Sequence, residues 1–175
     1  MIPLDDFPGT EEGEYIVRAH TNGDVSLPMS RSQKDTLIVL ELPQQGWEIL
    51  TAYPVQKFDL HEKKTISFAN LGLIGKMTGA AAVVNSSAYV EENGRFRLWT
   101  SLKALGTLGV YVSNLDNHTI GDHMMATISG KPVPLHCVKK SKTANVLEID
   151  LARAWEETGS SAGWSNEVTM ELFVS

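Results

Sequence analysis

The sequence has little of what several classes of functional site require. It contains one cysteine, Cys137, in 175 residues, which excludes an intramolecular disulfide and a zinc site built from several thiolates. Its 15 basic residues against 21 acidic ones leave a net charge of −6. Nucleic-acid binding usually shows as a basic patch or stripe, and the nearest approach is the lysine group of "VKKSKTANV", which we expect in an exposed turn between strands. We therefore expect no nucleic-acid partner.

Long apolar runs are also missing. No window approaches the roughly 18 apolar residues of a membrane-spanning helix. The first residues, "MIPLDDFPGTEEGEY", are acidic and contain several prolines and glycines, so they lack the basic and apolar regions of a signal peptide. The sequence predicts a cytoplasmic protein with no membrane partner.

Nucleotide-binding loops are absent, although "LGLIGKMTGAAAVV" (71–84) resembles one at first sight. A Walker loop needs glycine five residues before its Gly-Lys pair and Ser or Thr after it. Here Asn70 and Met77 occupy those positions, and Leu73 and Ile74 break the dinucleotide pattern between Gly72 and Gly75. We expect no cofactor.

Catalytic and metal-binding patterns are equally sparse. The histidines show no zinc spacing, so no metal site is predicted. "VPLHCVKK" is interpreted as a strand that would point His136 away from Cys137, leaving a buried, unreactive thiol. Paired acidic residues fall in turns or in the first residues, and no serine has the nucleophile-elbow pattern. The remaining acid/base candidates are His20, Tyr53, His123 and Asp150.

Short β-type runs dominate what the sequence does contain. Residues 1–13 are predicted to form an N-terminal arm, and residues 14–175 one β-sandwich domain with about nine or ten strands. We expect an all-β, antiparallel sandwich of jelly-roll or Greek-key type. The runs include "DTLIVLELP", which ends at Pro43, and "LEIDLARAWEETG", in which strand-like alternation precedes a short turn of helix before Gly159.

Two glycine-containing segments repeat one pattern, "LGLIG" (71–75) and "LGTLG" (105–109). Two copies are too few for a repeat protein. We interpret them as paired strand positions at which glycine admits a bulky neighbour or permits a bulge.

Aromatic residues are the best candidates for ligand contacts, because their flat faces stack on sugars and other apolar rings. Most aromatic side chains of a sandwich belong to its core. The ligand-binding candidates are Trp47, Trp99, Tyr111 and Trp164, the last in a Gly/Ser-rich loop.

The segments "GWEILTAYPV", "ANLGLIGKMTGAAAVV" and "LKALGTLGVYVS" resemble the C-terminal part of the raffinose synthase and alkaline α-galactosidase (seed imbibition protein) family. The resemblance extends from about Glu14 onward. It implies an antiparallel β-sandwich, which in that family follows a catalytic (β/α)8 barrel. The catalytic aspartates of the family lie in the barrel, so none corresponds to a residue of this chain.

Three functions remain open. The first is a non-catalytic accessory domain that binds carbohydrate or supports a separate catalytic chain. The second is a free-standing cyclase- or isomerase-type enzyme that holds a small apolar ligand in a pocket. The third is a structural module that forms a homo-oligomer through an edge strand or an apolar face.

Overall fold

The computed structural model describes residues 2–32, 37–39, 41–42, 44–60, 64–142, 144–161 and 167–175. Their contacts divide the chain into two compact units, Met1–Gln56 and Lys57–Ser175. The predicted boundary between an arm and a domain at Gly13 stays a prediction. The predicted arm contains regular structure despite its prolines and glycines: residues 2–6 form a short strand and a 3₁₀ helix.

The first unit contains two small antiparallel sheets. β1 (Ile2–Pro3) pairs with β4 (Leu37–Ile38), and a 3₁₀ helix, Leu4–Asp6, follows β1. β2 (Glu14–Ala19) lies between β3 (Met29–Ser30) and β5 (Leu50–Pro54). The face of β2 that carries Tyr15 and Val17 packs on an apolar cluster with Leu4, Phe7, Ile38, Leu50 and Ala52.

The second unit contains the β-sandwich. Its elements in chain order are β6 (Gln56–Asp59, which spans the division), β7 (Thr65–Ile74), β8 (Val83–Val90), β9 (Phe96–Leu102), β10 (Thr107–Val112), β11 (Met124–Ile128), β12 (Lys131–Pro132), β13 (Val138–Lys140), β14 (Val146–Asp150), α1 (Leu151–Thr158) and β15 (Val168–Val174). Among the described residues of this unit, 3₁₀ helices occur at Ala80–Ala82, Leu115–Asn117 and Leu135–Cys137.

These strands form two five-stranded antiparallel sheets. The first sheet has the order β13-β14-β10-β7-β6, and the second has the order β12-β11-β15-β9-β8. The chain crosses between the sheets after β7, β9, β10, β12 and β14. The prediction of an all-β, antiparallel sandwich is confirmed.

The core lies between the two sheets because each strand turns alternate apolar residues inward. Phe68 of the first sheet and Phe96 of the second have ring centroids 5.3 Å apart, and Phe58 lies 5.4 Å from Phe96. Leu98 and Leu172, on neighbouring strands of the second sheet, are fully buried. On each of these strands, the residues that alternate with the buried ones point to the opposite, outward face of the sheet.

The repeated glycine pattern pairs as expected. β7 and β10 are neighbours, and Gly109 lies directly opposite Gly72, beside a register shift between Gly109 and Val110. A Cβ atom on Gly109 would lie 2.6 Å from Cγ2 of Ile74. Gly72 has φ +67°, and a Cβ there would lie 2.6 Å from the backbone oxygen of Gly79. Both predicted uses of glycine, space for a bulky neighbour and a bulge, are therefore present.

The segment 71–84 connects the two sheets. It ends β7, turns through Gly75 to Gly79 and enters β8 after the 3₁₀ helix at Ala80–Ala82. The backbone N–H of Leu73 donates to the oxygen of Gly79 at 3.0 Å. Nζ of Lys76 donates to the carbonyl oxygen of Leu105 at 2.8 Å. Lys76, the lysine of the apparent phosphate loop, thus links the connection after β7 to the connection between β9 and β10.

Two sequence interpretations need correction. "VPLHCVKK" is not one strand, because Leu135–Cys137 is a 3₁₀ helix preceded by Pro134, whose missing N–H interrupts strand pairing. "DTLIVLELP" forms a strand only at Leu37–Ile38 among its described residues, with Val39 71% exposed. The end predicted at Pro43 lies outside the described residues.

α1 follows β14 without a linker, as "LEIDLARAWEETG" predicts. Oδ1 of Asp150 accepts a hydrogen bond from the backbone N–H of Arg153 at 3.1 Å, which caps the helix. Gly159 ends it with φ +56°, the left-handed conformation that glycine adopts most easily. No helix in the described part of the chain is long and apolar enough to span a membrane.

Candidate functional site

The outward face of the second sheet contains Trp99 among polar side chains. Strand register places Ser87, Trp99, Glu171 and Thr127 in one row across β8, β9, β15 and β11. The next row contains Tyr89, Arg97, Phe173 and Met125, and a third contains Asn85, Ser101 and Thr169. We call these eleven residues the Trp99 face.

Charged groups on the Trp99 face, together with the adjacent Glu91, hold one another in place. Nη2 of Arg97 lies 2.6 Å from Oε1 of Glu171, and Nη1 lies 3.3 Å from Oε1 of Glu91. The hydrogen bond to Glu171 raises the pKa of Arg97 above its ordinary value. The guanidinium carbon of Arg97 also lies 5.2 Å from the ring centroid of Phe173, within cation–π range.

Trp99 itself is partly buried between hydrogen-bonding neighbours. Ser87 lies beside it on the edge strand β8 and is exposed, and Glu171 lies on its other side. Oγ1 of Thr127 lies 3.5 Å from Oε2 of Glu171. The face therefore combines an apolar ring with hydroxyl, amide and carboxylate groups, the combination that both stacks on and hydrogen-bonds to a polyhydroxylated ligand.

Two acid/base candidates, His20 and Tyr53, come together in the first unit. Arg18, His20, Thr51 and Tyr53 lie on the face of β2 and β5 opposite to Val17. Nη1 of Arg18 lies 3.2 Å from Nδ1 of His20, and Nε2 of His20 lies 2.8 Å from Oγ1 of Thr51. Because arginine only donates, Nδ1 must accept and Nε2 must carry the proton.

The environment favours the neutral forms of His20 and Tyr53. Burial, with a smaller contribution from Arg18, lowers the pKa of His20, and burial raises the pKa of Tyr53. Arg18 is 5% exposed. The hydroxyl of Tyr53 is buried on the same face as Thr51. The roles of His20 and Tyr53 in catalysis stay predictions.

A cavity of about 610 Å³ opens on the other side of β2. Its walls combine apolar side chains, among them Val17, Ala19 and Leu37, with polar ones that include Asp24 and Glu41. His20 and Tyr53 do not line it, because alternate strand residues point to opposite faces. The cavity and the acid/base pair therefore do not form one site.

His123 lines a different cavity, of about 380 Å³, in the second unit. His118 lines it too, with the two ring centroids 6.4 Å apart. Nδ1 of His123 accepts from the backbone N–H of Thr119 at 3.1 Å, so Nε2 carries the proton of the neutral ring. Burial lowers the pKa of His118. Only four residues separate these two histidines in the sequence, but the sequence does not indicate that they share a cavity.

The other candidates are dispersed. Asp150 caps α1, Trp47 is 63% exposed in the first unit, and Tyr111 is 5% exposed on β10. Burial leaves Tyr111 little surface to offer a ligand. Trp164 lies outside the described residues, as does His61, one of the five histidines.

His136, Cys137 and Glu157 form a cluster that the sequence interpretation missed. Because residues 135–137 form a 3₁₀ helix rather than a strand, His136 and Cys137 do not point to opposite faces of a sheet. The ligand atoms of all three residues lie within 4.8 Å of one another. The prolines at 132 and 134 were the sequence signal that the strand is broken there.

No family model matches this chain, and no curated protein matches its sequence. The resemblance to the raffinose synthase and alkaline α-galactosidase family stays a prediction from the three segments that suggested it.

Proposed function

We propose that the chain is a non-catalytic β-sandwich accessory module that binds carbohydrate on the Trp99 face. The observation that carries the proposal is the row in which Trp99 lies between exposed Ser87 and the carboxylate of Glu171. An aromatic ring flanked by hydrogen-bonding groups stacks on the apolar face of a sugar ring while its neighbours bind the hydroxyl groups.

The fixed geometry of the charged side chains supports this proposal. Arg97 holds Oε1 of Glu171, and Thr127 lies within reach of Oε2. A carboxylate that is already oriented loses less side-chain entropy when it binds a hydroxyl group. The resemblance to α-galactosidase-like proteins adds a reason to test galactosides first.

Calorimetric titration of the full chain with raffinose tests the proposal, with maltotriose as a trisaccharide that lacks galactose. We expect saturable binding of raffinose, and Trp99→Ala to weaken it about tenfold or more, as the loss of a central aromatic contact does. Trp47→Ala, which removes an exposed tryptophan outside the Trp99 face, is the matched control and should leave affinity unchanged.

Three results would contradict the proposal. They are no binding of either sugar at millimolar concentrations, binding that Trp99→Ala leaves intact, and binding that Trp47→Ala abolishes. Circular dichroism of each variant separates loss of the site from loss of the fold.

The cavity of about 610 Å³ in the first unit favours a second candidate function, binding of a small ligand that has both apolar and polar groups. Its volume is in the range of small-molecule sites. The candidate acids and bases His20, Tyr53, His123 and Asp150 do not line it, which supports binding over catalysis there. Leu50→Trp, which adds bulk at the wall, should abolish uptake of an apolar fluorescent probe and leave raffinose binding unchanged.

A further inference from the structure

The second unit brings together three side chains with the chemistry of metal ligands. Cys137 ends the 3₁₀ helix Leu135–Cys137, His136 precedes it, and Glu157 lies in the last turn of α1. The 3₁₀ helix packs against α1. One atom from each residue, Sγ, a ring nitrogen of His136 and a carboxylate oxygen, lies within 4.8 Å of the other two.

We propose that His136, Cys137 and Glu157 form a binding site for a divalent transition-metal ion of the zinc type. This site is separate from the Trp99 face and does not rest on the carbohydrate proposal. Thiolate, imidazole and carboxylate are all zinc ligands, and three protein ligands plus water complete a tetrahedral ion.

An ion fits among these atoms after the side chains rearrange, because the cluster spans up to 4.8 Å between ligand atoms. Around a tetrahedral zinc with bonds of about 2.0–2.3 Å, ligand atoms lie about 3.3–3.6 Å apart. Nε2 of His136 lies 2.8 Å from Oε2 of Glu157, a hydrogen-bonded separation that must widen when the metal replaces the shared proton. The side chain of His136 is 51% exposed, so it is able to move outward.

Neighbouring groups orient the ligands. Nε of Arg153 lies 2.7 Å from Oε1 of Glu157, and Nε2 of His136 lies 3.0 Å from Oε1 and 2.8 Å from Oε2 of the same carboxylate. Such supporting hydrogen bonds commonly fix the ligands of metal sites. Cys137 is 3% exposed, so its sulfur is shielded from solvent, while the exposed histidine gives an ion access from outside.

Protons and charges balance in the binding step. The ion displaces the proton of the Cys137 thiol and takes the lone pair of Nε2, with the ring proton moving to Nδ1. The thiolate and the carboxylate then neutralise the two charges of the ion. Affinity must therefore increase with pH, because one proton is released to solvent.

Cobalt(II), which replaces zinc and absorbs light, provides the test. Cys137 is the only cysteine of the chain, so a thiolate-to-cobalt charge-transfer band in the near ultraviolet identifies its sulfur as a ligand. We expect one cobalt ion per chain in reduced, chelator-treated protein, displacement of that cobalt by zinc, and loss of the band in Cys137→Ser.

Surface variants keep the test decisive if Cys137→Ser does not fold. His136→Gln and Glu157→Gln should each weaken zinc binding about tenfold or more, whereas Glu156→Gln, at the neighbouring helical position, should not. A wild-type protein without the charge-transfer band overturns the proposal. The proposal is also overturned if both His136→Gln and Glu157→Gln keep the band and the cobalt affinity of the wild type, since this would indicate binding by the cysteine alone.

Discussion

Gly109 illustrates how one missing side chain determines local packing. A Cβ at this position would lie 2.6 Å from Cγ2 of Ile74 on the paired strand β7, closer than carbon atoms approach. A Cβ on Gly106, in the same pentapeptide, would lie 3.4 Å from its nearest neighbour, Cε of the flexible Lys76 side chain. Two glycines three residues apart therefore have different tolerance to a methyl group.

We predict that Gly109→Ala lowers the free energy of unfolding by about 1–3 kcal/mol, the usual cost of overpacking. Gly106→Ala should change it much less, because the end of a lysine side chain moves easily. Urea unfolding of the two variants and the wild type measures the difference. Equal destabilisation by both variants would contradict the assigned contact with Ile74.

Asp150 acts at the scale of an element, where β14 becomes α1. The first N–H groups of a helix have no partners within it, and the Asp150 carboxylate accepts one of them, from Arg153. Helix capping is therefore a sufficient reason for a carboxylate at the end of this apolar strand, and no catalytic role is needed to explain it.

We predict that Asp150→Ala lowers the free energy of unfolding by about 0.5–2 kcal/mol through loss of the cap. Asp150→Asn should retain most of the stability because asparagine caps about as well. Thermal unfolding followed by circular dichroism compares them. A loss in the asparagine variant as large as in the alanine variant would mean that the charge, rather than the capping hydrogen bond, stabilises this junction.

At the scale of the whole molecule, each unit contains a histidine whose pKa is lowered. Burial lowers the pKa of His20 in the first unit and of His118 in the second. The unfolded chain, with ordinary histidine pKa values of about 6.5, therefore binds more protons than the folded chain just below that pH. The folded state is favoured above about pH 6.5 and loses this contribution as pH falls toward the lowered values.

We predict that the free energy of unfolding decreases between about pH 7.5 and about pH 5.5, near and below the unfolded histidine pKa. The double variant His20→Gln/His118→Gln should show a shallower decrease, whatever its absolute stability. Urea unfolding across this pH range supplies both slopes. Identical slopes in the two proteins would remove the histidines as the cause.

The local pattern of the chain determined much of the fold. The residues of β15, "VTMELFV", alternate with a period of two, because a strand with one buried face needs apolar residues at every second position. The glycine pattern repeated in "LGLIG" and "LGTLG" predicted the pairing of β7 with β10, since glycine marks a place where neighbouring strands approach closely. The segment "LEIDLARAWEETG" predicted a short helix, and Asp150 and Gly159 lie at its two ends.

Only the tertiary structure decided which side chains share a site. The order of strands in the second sheet places Trp99 beside Ser87 and Glu171, although Ser87 and Glu171 are far apart along the sequence. The packing of a 3₁₀ helix on α1 brings Cys137 to Glu157 in the same way. Local sequence determines strand, turn and cap because those depend on neighbouring residues. A site assembled from distant segments depends on which elements pair, and this is settled by burial of the whole core.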